Sequence, residues 1–184
     1  MQSKFIQWAS IVFILISMLG CNDDDDDDSA TKQTDEQTAV QTSLKQLTEK
    51  QPVLDLIFQY SYTWDKKDPD AFAKLFTEDA VWEWWGPEDV QEPRVRNKTR
   101  YEIQNWVAER FVTTLADRQT RHLQTNTVFL EMTNDMARTQ TMLLLVHIVP
   151  GVDAPIIVNT GIYEDEFLKT SDGWQISQRS LRVD

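Results

Sequence analysis

Cysteine is nearly absent from this sequence: of 184 residues only Cys21 is one. A disulfide framework needs pairs, so any folded part must be held by its core. Histidine is scarce too, and His122 and His147 give no pair at metal-ligand spacing, so no metal site is expected. The five glycines are scattered, which excludes a phosphate-cradling loop, and no nucleophile elbow is present. Positive charge is short, with 18 Lys and Arg against 30 Asp and Glu for a net charge of -12. Without a basic patch, nucleic acid is not an expected partner. No period of roughly 20 to 50 residues suggests a solenoid. The apolar run Ile11-Val12-Phe13-Ile14-Leu15-Ile16 falls short of the roughly 20 residues that a permanent membrane-spanning helix needs.

What that run does fit is an export signal. Lys4 supplies a positive start, and no further charge follows before Asp23. A short apolar stretch ending in small residues marks a cleaved peptide. Met18-Leu19-Gly20-Cys21 resembles the bacterial lipobox. That resemblance implies cleavage before Cys21, acylation of its sulfur (palmitate or a similar chain), and attachment to a membrane of the bacterial envelope. The alternative is an ordinary signal peptide with an incidental cysteine. Asn22 and the six aspartates Asp23 to Asp28 come next, followed by a polar stretch to Thr38. Like charges repel and polar residues without apolar partners cannot offset ordering entropy. The expectation is therefore a signal peptide over 1–20, an acidic disordered tether over 21–38, and one domain over 39–184. The aspartates and Lys4 together carry -5 of the net charge, which leaves the rest of the chain near -7.

Periodicity places helices first in the domain and strands after them. Val53, Leu56, Ile57, Tyr60 and Trp64 form a stripe at helical spacing. Leu44 and Leu47 either extend that helix back past Pro52 or form a separate turn. Asp68-Pro69 is a helix start, and the short helix it opens is read as carrying Phe72, Leu75 and Phe76. Residues 80–85 read as an aromatic strand and 86–98 as a loop. Thr99 and Glu102 make a capping box for a third helix with Ile103, Trp106, Val107 and Phe111 on its core face. Strands follow over 121–131, 137–149, 155–169 and 174–183, joined by turns at Asn134-Asp135, Pro150-Gly151-Val152-Asp153 and Ser171-Asp172-Gly173. This order implies an α+β domain, with a curved antiparallel sheet packed on about three N-terminal helices around an internal pocket.

Four groups of residues are candidates for chemistry. Asp65 ends the first helix, where the backbone dipole disfavours a carboxylate; function and a salt bridge are both explanations. His122 shares a strand face with Gln124 and Asn126, and a hydrogen-bonded structural histidine is the competing reading. His147, in an apolar strand, reads as structural. Trp64, Trp82, Trp84 and Trp85 are either core or the wall of an apolar pocket, with Trp82 and Trp84 on one strand face and Trp85 with Glu83 on the other. Tyr163, Asp165 and Arg179 lie on the last two strands, where a cross-strand Asp165–Arg179 pair accounts for the charges.

Taken in order, Tyr62-Thr63-Trp64-Asp65-Lys66-Lys67-Asp68, Leu75-Phe76-Thr77-Glu78-Asp79-Ala80-Val81-Trp82, Thr120-Arg121-His122-Leu123-Gln124-Thr125-Asn126, Gly161-Ile162-Tyr163-Glu164-Asp165 and the stretch from Asp172-Gly173-Trp174 to Arg179 resemble the SnoaL-like branch of the nuclear-transport-factor-2-like superfamily. The resemblance covers about 51–184. It implies a cone-shaped α+β barrel, a small-molecule pocket, no cofactor, and homodimers through the outer face of the sheet. In the scytalone dehydratase and hexachlorocyclohexane dehydrochlorinase groups of that superfamily an Asp–His dyad does the chemistry, and Asp65 and His122 match its two positions. The resemblance thus makes Asp65 and His122 the catalytic candidates for a lyase or isomerase acting on a small apolar molecule. Tyr62, Trp64, Trp82, Trp84, Asn126 and Tyr163 are its candidate substrate contacts. The second catalytic histidine of the dehydratase group has no counterpart, its approximate position holding Gln140 or Thr141. The other reading is a non-catalytic module of the cell envelope that binds a ligand or a protein.

Overall fold

A single long helix opens the described part of the chain. The computed structural model describes residues 27–87 and 91–184, so the expected signal peptide and Cys21 lie outside the described residues. The chain parts into two units, Met1–Ser43 and Leu44–Asp184. Helix α1, Asp27–Asp65, accounts for all that is described of the first. Residues 27–38, expected as disordered tether, are therefore helical. No glycine or proline falls between Asp27 and Gln51, and glutamine, glutamate, lysine and alanine recur there, all of them good helix formers. Residues 35–45 are exposed.

In the second unit α1 runs through Pro52 without breaking. Pro52 has no amide to offer the Thr48 carbonyl, a placement that costs about 3 kcal/mol in a helix interior. The buried side chains just beyond it, Val53, Leu56, Ile57, Tyr60 and Trp64, offset that cost at about 1.5–3 kcal/mol each. Helix α2, Pro69–Ala73, is capped by Asp68, whose carboxylate accepts from the Ala71 amide at 2.9 Å. It stops before Leu75 and Phe76, which were read as helical. Phe76 instead begins strand β1, Phe76–Trp85, by pairing with Ile176. The expected loop contains a short strand β2, Val95–Asn97, and helix α3 spans Arg100–Val112. The hydroxyl of Thr99 accepts from the Glu102 amide at 3.1 Å, and Glu102 accepts in return from the Lys98 amide at 2.7 Å.

Four long strands complete the domain: β3, Gln119–Met132; β4, Met136–Ile148; β5, Ile156–Thr170; and β6, Gly173–Val183. At the β4–β5 connection Gly151 has φ 81° and the Val152 amide donates to Val149, as a type II turn requires. The six strands form one sheet in the order β2-β1-β6-β5-β4-β3. It is a curved, open sheet with β2 and β3 at its edges, in place of a closed barrel. It is also mixed: β1 and β6 run parallel while the other neighbours are antiparallel. A parallel pair needs a long crossover, and α3 with the four intervening strands supplies it. The buried face carries Phe76, Ala137, Leu143, Tyr163, Phe167 and Ile176, in one core with Ile57, Tyr60, Phe72, Ile103 and Val107 of the helices.

Candidate active site

The end of α1 and the start of β3 meet at one carboxylate. Lys67 adopts the left-handed conformation, φ 56°, and closes the helix with bonds from the Lys67 amide to Trp64 and from the Asp68 amide to Thr63. This is the Schellman arrangement, here with lysine where glycine is usual. The Lys67 ammonium donates to the carbonyls of Leu115 and Ala116, beyond α3.

Asp65, on the last turn, lies against β3. Its Oδ1 lies 2.7 Å from His122 Nδ1 and accepts from the Thr120 hydroxyl at 2.7 Å, while Oδ2 accepts from the His122 amide at 3.0 Å. Gln119 adds a bond to the Asp65 carbonyl at 2.6 Å. These donors answer the dipole that disfavours an acid at a helix C-terminus. They also bind the helix end to the free edge of the sheet. The Asp65 and His122 side chains are 12% and 5% exposed. A carboxylate acceptor on Nδ1 puts the proton there and leaves the lone pair on Nε2. Nε2 has no hydrogen-bond partner among the described residues. The imidazole lies across Tyr60 and Trp64, with ring centroids 6.4 and 5.4 Å away.

His122 borders two cavities. The inner one, about 60 Å³, is walled by Trp64, Trp82, Trp84, Trp106 and Tyr163, with Arg110 among its lining. The outer one is a groove of about 690 Å³ that also touches Asp65, Tyr62, Phe58 and Leu123. Of the expected substrate contacts, Trp64, Trp82, Trp84 and Tyr163 thus share the inner cavity with the dyad histidine. Tyr62 is 68% exposed and belongs to the outer groove.

Asn126 borders neither cavity, contrary to expectation. The β3–β4 pairing shifts between Thr125 and Val128, and Asn126 has φ 54°. This bulge reverses the inward phase of the strand. Asn126 is exposed, bonded to the Met142 sulfur at 3.3 Å, and Thr127 takes the inward place beside the Thr141 hydroxyl at 3.1 Å. Gln124 does face inward, but its amide is occupied by the Ile57 carbonyl and the Ser61 hydroxyl. Of the residues where a second histidine would stand, Thr141 is thus held by Thr127, and Gln140 donates to Glu164 at 3.3 Å.

Three participants were not singled out from the sequence. Thr120 orients Asp65, and only its place two residues before His122 on the same strand face hints at it. Trp106 was read as core and Arg110 not at all, because an apolar helix stripe looks the same whether it meets a core or a cavity.

The Asp165–Arg179 pair is present as the cross-strand reading proposed. Arg179 is fully buried, holds Asp165 through two bonds of 2.6 and 2.7 Å, and lies 3.9 and 4.3 Å from the ring centroids of Tyr60 and Tyr163. Burial disfavours its charge, but the Asp165 carboxylate more than compensates and holds Arg179 above its ordinary value. Burial pushes the Tyr60 and Tyr163 phenols up, so both stay neutral, and Tyr60 accepts from the Trp82 indole at 3.1 Å. Trp85 lies on the other face with Glu83, to which it donates at 3.0 Å. His147 pairs in register with Thr120. Burial, then the charges of Arg118, His122 and Arg110, push its imidazole down.

Comparison with known proteins agrees with this architecture. No curated protein matches the chain. Many solved structures are similar in fold, among them three that follow. A protein provisionally named scytalone dehydratase from Novosphingobium aromaticivorans is 23% identical, with 77% of this chain and 88% of that one covered and a TM-score of 0.64. An NTF2-like protein with a cystatin-like fold from the same organism is 19% identical over 79% and 88%, TM-score 0.65. ActVI-ORFA from Streptomyces coelicolor is 20% identical over 72% and 95%, TM-score 0.60. The family model described as SnoaL-like domain matches residues 45–180, and the chain belongs to that family.

Proposed function

We propose that this protein is a cofactor-independent lyase or isomerase in which His122 is the general base and Asp65 orients it. The substrate is a small, largely apolar molecule held beside His122, which borders both the inner cavity and the larger outer groove. The reading rests on one observation above all: the 2.7 Å contact between Asp65 Oδ1 and His122 Nδ1, on a histidine that borders an aromatic cavity. An imidazole so held can accept a proton from carbon through Nε2. The electron pair of the broken C–H bond then expels a leaving group in a lyase, or the proton returns at another carbon in an isomerase. Asp65 stabilises the imidazolium formed, and the apolar wall strengthens that pairing by excluding water. A protein provisionally named scytalone dehydratase has the same fold, which adds support of a general kind.

The test is a panel of single-ring ketones, alcohols and halides incubated with the protein in D2O, with deuterium uptake, water loss and halide release followed by NMR. Turnover of at least one compound is expected, falling about 10²- to 10⁴-fold in His122→Ala and strongly in Asp65→Asn. Turnover unchanged in both variants means that the dyad is not the catalyst. A ligand that stays bound and unchanged would favour the non-catalytic reading.

The same proposal places the protein at a membrane of the bacterial envelope, held by lipid on Cys21. Radiolabelled palmitate should enter the wild type and not Cys21→Ser. A second copy of the chain is the proposed partner of the sheet's outer face, where Leu123, Val128, Leu130, Met142 and Ile162 are exposed. Light scattering should report a dimer that Met142→Asp divides.

A further inference from the structure

Of the two spaces that His122 borders, only the outer one has room for an organic ligand. A dry cavity of about 150 Å³ holds one benzene, and the inner cavity measures about 60 Å³. The outer groove, at about 690 Å³, falls within the roughly 300–1,000 Å³ of small-molecule sites. Its apolar walls are Phe58 and Tyr62 on α1, Leu123 on β3, and Val146, Ile148 and Pro155 beyond them. Phe58, Tyr62, Leu123 and Ile148 are all exposed. Apolar side chains gathered in one place mark a site of contact, whereas scattered ones need no explanation. Phe58 and Tyr62 stand one helical turn apart, and the α1 wall from Phe58 to Asp65 is about 10 Å long. That length suits a chain better than a ring.

Charge completes the description. A depression of about 490 Å³ shares Tyr62, Asp65 and Arg121 with the groove and is otherwise lined by Lys66, Lys67 and Gln119. In a chain with a net charge of -12, three cations around one depression run against the average. Lys67 is committed to the carbonyls of Leu115 and Ala116. Lys66 and Arg121 form no ion pair among the described residues, and Arg121 gives one donor to the Thr120 carbonyl at 2.9 Å. The only acid in either lining is Asp65, whose two oxygens already accept from Thr120 and His122. An apolar trough that opens on unpaired cations is complementary to an apolar chain with an anionic head. A guanidinium offers a carboxylate two parallel donors, and an ammonium adds a point charge.

We infer that the outer groove binds a straight-chain fatty acid, with its carboxylate between Arg121 and Lys66 and its chain along Phe58 and Tyr62. Binding here needs no proton transfer, so it stands whether or not the Asp65–His122 dyad is catalytic. It makes Lys66 and Arg121 binding residues separate from that dyad.

The test uses the full chain in phosphatidylcholine vesicles, with a decanoate that carries a photoreactive diazirine in mid-chain. The matching decanol, at the same aqueous concentration, is the neutral probe. After illumination, mass spectrometry should find label on the peptides of Phe58, Tyr62 and Leu123, about ten-fold more from decanoate than from decanol. Lys66→Gln combined with Arg121→Gln should bring decanoate down to the level of decanol. Should that protein fail to fold by circular dichroism, competition on the wild type gives the second reading: excess unlabelled decanoate should remove the label and decanol should not. His122→Ala should keep the preference. Equal labelling by the two probes, label on other peptides, or a preference that survives the double substitution overturns the inference. So does a preference lost in His122→Ala, which would put the anion on the imidazole. Equal labelling from phosphatidylcholine that carries the same diazirine would mean that a membrane surface rests on the groove, and overturns it too. A rise in labelling in Met142→Asp does the same, since a second copy would then be the occupant.

Discussion

Asp65 and Asp165 each hold a nitrogen base beneath the same sheet, and the two pairs differ in what they leave over. Around Asp165 the opposite charges pair directly, and of the Arg179 guanidinium only Nη1 lacks a partner among the described residues. Arg179 gives its carboxylate two bonds, two tyrosine rings flank the guanidinium, and both side chains are sealed. Around Asp65 one nitrogen of the base is committed and the other is not, and a cavity adjoins it. Burial and proximity are common to both. A free valence beside empty space is what makes the second pair a candidate for chemistry and the first a piece of the core.

The comparison can be broken most forcefully at the sealed pair. Asp165→Asn strands the Arg179 cation in the interior and should cost about 3–5 kcal/mol, read as a fall in the urea midpoint. Asp65→Asn removes a carboxylate at a partly open site and should cost about 1.5–3 kcal/mol. It should also exchange the His122 tautomer, visible in the 15N shifts of the ring. If the two variants lose equal stability, the distinction between a sealed pair and an open one fails.

Smaller still is the pH response of His147, beside the dyad in register. Its folded value is pushed below its unfolded one by burial and by the neighbouring cations. Its contribution to stability is therefore complete above the unfolded value, near 6.5, and is lost as pH falls through the lowered folded value. Urea midpoints between pH 8 and 5 should decline in the wild type, and His147→Gln should flatten that decline. The smallest effect is expected at Lys67. Glycine there relieves the left-handed backbone but loses the two carbonyl contacts beyond α3, so Lys67→Gly should stay within about 0.5 kcal/mol of the wild type. Lys67→Ala gains no such relief and should cost about 1–2 kcal/mol.

Much of this was legible in the residues themselves. The stripe from Val53 to Trp64 and the alternation in the last four strands predict the main elements, because burial enforces period. Asp165–Arg179 follows from two opposite charges on adjacent strands. The pairing of Asp65 with His122 came from resemblance, since no local pattern brings residues so far apart together. Other features were hidden for definite reasons. Strand β2 has three residues, too few to show a period. Phe76 follows a helix that carries the same kind of apolar residue, so only its pairing with Ile176 reveals the change. The bulge at Asn126 depends on one backbone angle and reverses the faces of β3 until a second shift between Phe129 and Glu131 restores them. Residues 27–38 are almost all polar, yet their composition favours a helix.

One contact at the dyad has a consequence for solubility. Strand β3 is an edge of the sheet, and edges recruit other strands unless something blocks them. The His122 amide, which has no neighbouring strand on that side, is claimed by Asp65 Oδ2. The carboxylate that aims the imidazole therefore also plugs the sheet at the point where an outside strand would begin to add. The Asp65 side chain thus has two tasks, to hold the imidazole and to keep copies of this chain from zipping together along β3.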